Sequence, residues 1–204
     1  MDVRLITRGL EKPRRIEVEE KSLTPTFGRF IARPLEKGFG HTIGNALRRI
    51  LLSSITGSSI TAVRIEGVDH EFSVIQGVVE DVAEIVLNLK EVRLKIRGSG
   101  PRELTVAAEG ATVITAGMLQ CPDDVEILNP GQVIATLDAP NASIAMTVTA
   151  RPGRGFIPAD EVTPDEGAVG LIPLDALFSP VRKVAYSVVP TRVGQRTDYD
   201  KLVI

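Results

Sequence analysis

The residues best placed to do chemistry are few and scattered. Gly38, Gly40 and Gly44, in the run GFGHTIG, follow a predicted strand and open a predicted helix. Backbone N–H groups at such a helix start can cradle a phosphate. The dinucleotide fingerprint needs its third glycine one residue earlier, and no Gly-Lys-Ser/Thr follows, so a tight turn with a closely packed helix at Gly44 is the simpler reading. Asp198 and Asp200 form a D-x-D near the end of the sequence. Two carboxylates alone do not define a Mg²⁺ site, and a solvated turn explains them. His41 and His70 are candidate general bases without a nucleophile motif beside them. Cys121, before Pro122, reads as a small hydrophobe or a surface thiol. With one Cys and two His, neither a disulfide framework nor a zinc site of the usual Cys/His kind is available. Arg151 to Phe156 (RPGRGF) is one copy of an RGG-like element, and such elements bind nucleic acid by repetition. No catalytic constellation, metal site or cofactor is expected from these residues.

The elements that must position these residues alternate between two hydrophobic periods. Residues 14–20 and 26–35 read as strands, the second stopped by Pro34. Residues 38–54 are the clearest helix, with Thr42 as a capping residue. Ile43, Ala46, Leu47, Ile50 and Leu51 form its apolar stripe. Asn45, Arg49 and Leu52 cluster on the opposite face. An exposed Leu there is either an ordinary surface residue or the centre of a protein contact. A second helix is predicted over 77–90, with Val78, Val82, Ile85, Val86 and Leu89 inward, Glu80 and Asp81 in its first turn and Lys90 in its last. Strands are predicted at 60–66, 91–97, 103–107, 125–128, 132–137, 143–149 and 181–189. A loop is predicted at 150–168 and a polar, turn-rich tail at 190–204. Many strands with two helices and no strict βαβ alternation give the α+β class.

Charge divides the chain. Residues 1–56 carry a net +5, residues 57–176 a net −10 and residues 177–204 a net +3, which add to −2 overall. The pattern suits an acidic module inserted into a basic one. It predicts a discontinuous subdomain of 1–56 with 177–204 around an inserted, mostly β subdomain of 57–176. The overall balance argues against a free-standing nucleic-acid-binding domain, which is usually basic. No apolar run approaches 18 residues and the first residues carry charges throughout, so a membrane span and a secretory signal are not expected. A soluble, intracellular protein that is assembled into something larger is the expectation.

Four blocks then carry a resemblance: GFGHTIGNALRRILLSS (38–54), GVDHEFSVIQGVVEDVAEIVLNLKEV (67–92), RGFIPADE (154–161) and FSPVRKVAYSVVPTRVGQRTDYDKLVI (178–204). In this order they resemble the N-terminal part of the bacterial-type DNA-directed RNA polymerase alpha subunit. The resemblance implies a non-catalytic scaffold that dimerises and docks the two large catalytic subunits for transcription. It implies a second-largest-subunit interface at Asn45, Arg48, Arg49 and Leu52, and a largest-subunit interface at Lys90, Leu174, Asp175, Arg192, Gln195 and Arg196. It implies a core and dimer seam at Ile43, Leu47, Ile50 and Leu51. No cofactor is implied, and DNA is met only through the assembled enzyme. The expected setting is the bacterial cytoplasm, with a plastid as the other. The family continues past the position of Ile204 into a second dimerisation helix and a DNA-contacting domain, so the homodimer is expected to be weakened here. Two other classes stay on the table: a nucleotide-using enzyme built on Gly38–Gly44, and a nucleic-acid-binding module using the basic ends.

Overall fold

The computed structural model describes residues 10–162 and 170–204. In chain order they form β1 (Ile16–Val18), β2 (Phe30–Leu35), α1 (Phe39–Ser53), β3 (Thr56–Ile65), α2 (Val82–Lys90), β4 (Leu94–Ile96), β5 (Arg102–Glu109), β6 (Thr112–Thr115), β7 (Val125–Ile127), β8 (Val133–Leu137), β9 (Ser143–Arg154), β10 (Phe156–Ile157), β11 (Leu171–Pro173), β12 (Ala176–Leu177), β13 (Ser187–Val193) and β14 (Arg196–Val203). The class is α+β, with two α-helices and many strands in several sheets among the described residues. The chain divides into two compact units. One unites the residues up to Ser54 with Val181–Ile204; the other is Ile55–Pro180.

In the first unit, four antiparallel strands lie in the order β1-β2-β14-β13. The hairpin β13–β14 corrects the expected polar tail at 190–204. It turns at Gly194, whose φ of +61° a glycine accepts without strain. The register slips between Asp200 and Leu202. That slip breaks the two-residue alternation, which is why the segment does not read as a strand. Residues 181–186, expected to open the last strand, lie outside β13.

Helix α1 packs on this hairpin with its backbone. Gly40 and Gly44, one turn apart, are its buried positions. A Cβ at Gly40 would stand 2.6 Å from Val188 Cγ1, and one at Gly44 would stand 2.6 Å from Tyr186 Cδ2 and 2.9 Å from Leu202 Cδ1. This close approach turns the expected apolar stripe by roughly a fifth of a turn, at about 100° per residue. Ile43, Leu47 and Leu51 are half-buried, whereas Ala46 is exposed and Ile50 is 53% exposed. Leu52 is half-buried too, not fully in water. Thr42 lies within the helix, and Gly38 is the capping position.

Among the described residues, the second unit holds the sheet β11-β3-β9-β5 and three small ribbons, β4–β7, β6–β8 and β10–β12. Its core gathers Val63, Leu104 and Val148 from the sheet, Val82, Ile85 and Leu89 from α2, and Ile114 and Ile134 from β6 and β8. Helix α2 starts at Val82, five residues later than the periodicity predicts. Asp81 caps it, accepting the Glu84 amide at 2.7 Å. Glu80 stays outside the helix because its carboxylate accepts the Thr136 amide at 2.6 Å and the Thr136 hydroxyl at 3.0 Å.

Strand β9 continues through RPGR and pairs with β3 as far as Thr56↔Arg154, so the first part of the expected 150–168 loop is sheet. Residues 163–168 of that loop lie outside the described residues. Glycine serves packing here. A Cβ at Gly153 would lie 2.8 Å from the Phe178 ring, and one at Gly57 would collide with the Phe178 carbonyl.

The α1 geometry gives a test of sign. Helix propensity alone predicts that Gly44→Ala stabilises the chain by about 1 kcal/mol. Overpacking against Tyr186 and Leu202 opposes this with about 1–3 kcal/mol. The substitution is expected to lower the urea midpoint, and a raised midpoint would contradict the packing described.

Candidate assembly surfaces

The two most suggestive motifs answer each other. Asp200 Oδ2 accepts the amides of Gly38 at 2.8 Å and Gly40 at 3.1 Å. A carboxylate from β14 thus occupies the anion position that a phosphate would need at the start of α1, and the dipole of the helix favours it there. The other carboxylate of the D-x-D is also engaged. Arg196 Nε and Nη2 donate to Asp198 Oδ1 and Oδ2 at 3.2 and 3.0 Å. That hydrogen bonding holds the Asp198 carboxyl below the usual range and raises the Arg196 guanidinium. Among the described residues, no group of three or more His, Cys, Asp or Glu is arranged to hold a metal.

The remaining polar candidates have local roles. His41 is exposed and meets the Tyr186 ring edge-on, with centroids 6.3 Å apart. His70 Nδ1 and Ser73 Oγ share a hydrogen bond of 3.1 Å. Burial pushes the Cys121 thiol up, away from the thiolate a nucleophile needs. Arg151 to Arg154 belong to a strand ladder.

The outer face of α1 is different in kind. Asn45, Arg48 and Arg49 are exposed on a helix whose opposite side is fixed to the hairpin. Arg48 Nε donates to the Val184 carbonyl at 3.3 Å, which orients its guanidinium along the surface. The Arg49 side chain has no hydrogen-bond or ion-pair partner among the described residues. Only its backbone carbonyl is used, accepting the Ser53 hydroxyl at 2.8 Å. Ile43, Leu47 and Leu51 lie towards the sheet, and Ile50 lies on the exposed flank.

The six residues of the expected largest-subunit interface fall in two places. Lys90 and Asp175 form an ion pair of 2.9 Å in the second unit. Leu174 beside them is 1% exposed, and its amide donates to the Thr61 carbonyl at 2.8 Å. Its side chain is core, so its place is structural. Arg192, Gln195 and Arg196 surround the β13–β14 turn in the first unit. Arg192 Nε donates to the Gly194 carbonyl at 2.7 Å, Gln195 is exposed, and Arg196 stacks on Tyr199, 4.7 Å from the ring centroid. The sequence reading missed Asp200 as the partner of the glycine cluster. The signal was the pairing of an anion site with a carboxylate that had no other role.

Against this geometry, the family model of the RNA polymerase Rpb3/RpoA insert domain matches residues 63–179, more than half of the chain. The chain belongs to the RNA polymerase alpha-type subunit family. The matched stretch coincides with most of the second unit, from β3 to β12. The alpha-type chain is therefore a subunit of DNA-directed RNA polymerase with a role in its assembly.

The Lys90–Asp175 pair gives this alpha-type chain a pH signature. The Lys90 ammonium, and then the Ala159 amide, hold the Asp175 carboxyl below its usual range. A carboxyl depressed in the folded state stabilises above its unfolded pKa of about 3.9 and loses that contribution as pH falls through the folded value. Lys90→Met is expected to show a shallower loss of stability between pH 5 and pH 3 than wild type in urea titrations. Parallel losses would show that the pair contributes nothing.

Proposed function

We propose that the chain is a non-catalytic assembly scaffold of RNA polymerase. It pairs with a second copy of itself and docks the second-largest and largest subunits, which carry the phosphodiester chemistry. The observation behind this reading is that α1, fixed to the hairpin through Gly40 and Gly44, leaves two other faces uncovered.

One uncovered face is apolar. Ile16, Ala32, Leu202 and Val188 form one row across the sheet. Helix α1 packs over β14 and β13, the Leu202 and Val188 end of that row. The other end is bare: Ile16 is 64% exposed, and Val18 and Phe30 beside it are exposed too, as are Phe39 and Ile50 on the helix. An apolar surface of this kind marks an association site. A second copy could cover it with the same patch, as a two-fold dimer does.

The other uncovered face is polar, formed by Asn45, Arg48 and Arg49 with Leu52 at its margin. An arginine whose side chain has no partner among the described residues, on a helix packed through its glycines, suits the anchor of a protein interface. We assign this face to the second-largest subunit. The largest subunit is assigned to the Lys90–Asp175 region and to the Arg192–Arg196 turn. Upstream DNA is met through the assembled enzyme, in the bacterial cytoplasm or in a plastid. The Asp200 carboxylate at the start of α1 argues against the nucleotide-enzyme alternative.

Arg49→Ala tests the docking face. The purified second-largest subunit is expected to be retained by the wild-type chain and lost, or weakened at least about tenfold, with the variant. Equal retention by both would move the docking site elsewhere.

A further inference from the structure

The chain crosses between its two units twice, after Ser54 and after Pro180. The pairing of β2 with β14, and the bonds from Gly38 and Gly40 to Asp200, therefore join residues separated by the whole second unit. A flexible loop of that length, about 126 residues, closes rarely, because the chance of its ends meeting falls as about the three-halves power of its length.

Inside the second unit the two crossing points meet. Strand β3 opens with the pairs Thr56↔Arg154 and Gly57↔Gly153. Phe178 reaches the same place from the other end of the unit, and its amide donates to the Gly155 carbonyl at 2.9 Å. Its ring lies where a Cβ on Gly153 would stand 2.8 Å away, and its carbonyl fills the space that a Cβ on Gly57 would need. Pro180 Cδ would be 3.5 Å from that second Cβ. Phe178 and Ser179 are buried. The entry and the exit of the unit are thus in contact, although most of its sequence lies between them. Among the described residues, the strands of its sheets and the members of its hydrophobic core all fall between Thr56 and Leu177, so its fold draws on its own sequence.

We infer that the clasp of Gly57, Gly153 and Phe178 makes the second unit a template on which the first unit closes. The second unit folds first, brings Ser54 towards Val181, and so lets the two halves of the first unit pair. With the clasp shut, the path between the halves shortens to about six residues, from Ile55 to Gly57 and from Phe178 to Pro180. By the three-halves power, closure is then favoured about a hundredfold over an unclasped loop. The cap that Asp200 gives to α1 depends on this shortening, because its two partners come from opposite sides of the second unit.

The test lengthens that path and leaves the clasp intact. Ten or twenty Gly/Ser residues are inserted between Ser54 and Ile55 of the full chain, and amide exchange is followed by mass spectrometry. Peptides covering α1 and β14 are expected to open about fourfold more often with ten residues and about ninefold with twenty, while peptides covering β5 and β9 exchange as in wild type. In an unclasped loop of the second unit's length, the same insertions change opening by less than about 1.3-fold. A change that small at α1 and β14 overturns the inference. An equal rise at β5 and β9 overturns it too, because the two units would then open together. A urea series on the wild-type chain gives an independent reading. Peptides covering α1 and β14 are expected to lose protection before those covering β5 and β9. The reverse order overturns the inference, since a template cannot open before what it holds.

Discussion

A single carboxylate, Asp200 Oδ2, accepts the first amides of α1, and both uncovered faces of the helix depend on how that helix is held. The amides at a helix start have no partner within the helix, and the partial positive charge there favours an anion. Serine, threonine, asparagine or aspartate just before the helix is the usual remedy. Here Gly38 occupies that position and has no side chain to offer. The anion arrives instead from a strand 160 residues further along the chain. The start of α1 is therefore fixed only once the two ends of the sequence have come together.

Gly38 leaves the helix without a side-chain cap, and two further glycines, Gly40 and Gly44, let it come close. Gly40 places its backbone where Val188 and Asp200 would exclude any larger residue, and Gly44 does the same against Tyr186 and Leu202. Capping and packing are thus one arrangement: the same approach that brings Asp200 to the amides presses the glycine face onto the hairpin. With that face committed, the long side chains of α1 are left on its flanks. Ile50 and Phe39 stand out on one side and Asn45 and Arg49 on the outer face. The apolar flank with Ile50 and Phe39 is the kind of exposed surface that an association site presents, whereas Asn45 and Arg49 are at home in water.

Much of the fold was legible in residue periodicity. The inward residues Val92, Leu94 and Ile96, and likewise Ile144, Met146 and Val148, are all buried as their alternation requires. The stripe of α2 is buried as well, although the helix itself begins only at Val82. The α1 stripe misled because periodicity weighs side chains, and the packing face of this helix is made by residues that have none. The β13–β14 hairpin was hidden by a register slip and by charged residues that pair within the strand. Strand β9 ran on through a glycine- and proline-containing stretch because Gly153 is needed beneath the Phe178 ring, a contact between residues 25 apart. Of the expected docking residues, the resemblance supplied identities, whereas geometry separated exposed Arg49 from buried Leu174. No local pattern could have made that distinction.

We propose that α1 is the surface through which the chain docks the second-largest subunit. Amide-exchange mass spectrometry, on the chain alone and then bound to the second-largest subunit, tests it most directly. New protection is expected on the peptides covering α1, with the peptides covering β5 to β8 unchanged. Protection confined to the β5–β8 peptides, with α1 exchanging as in the free chain, would contradict it.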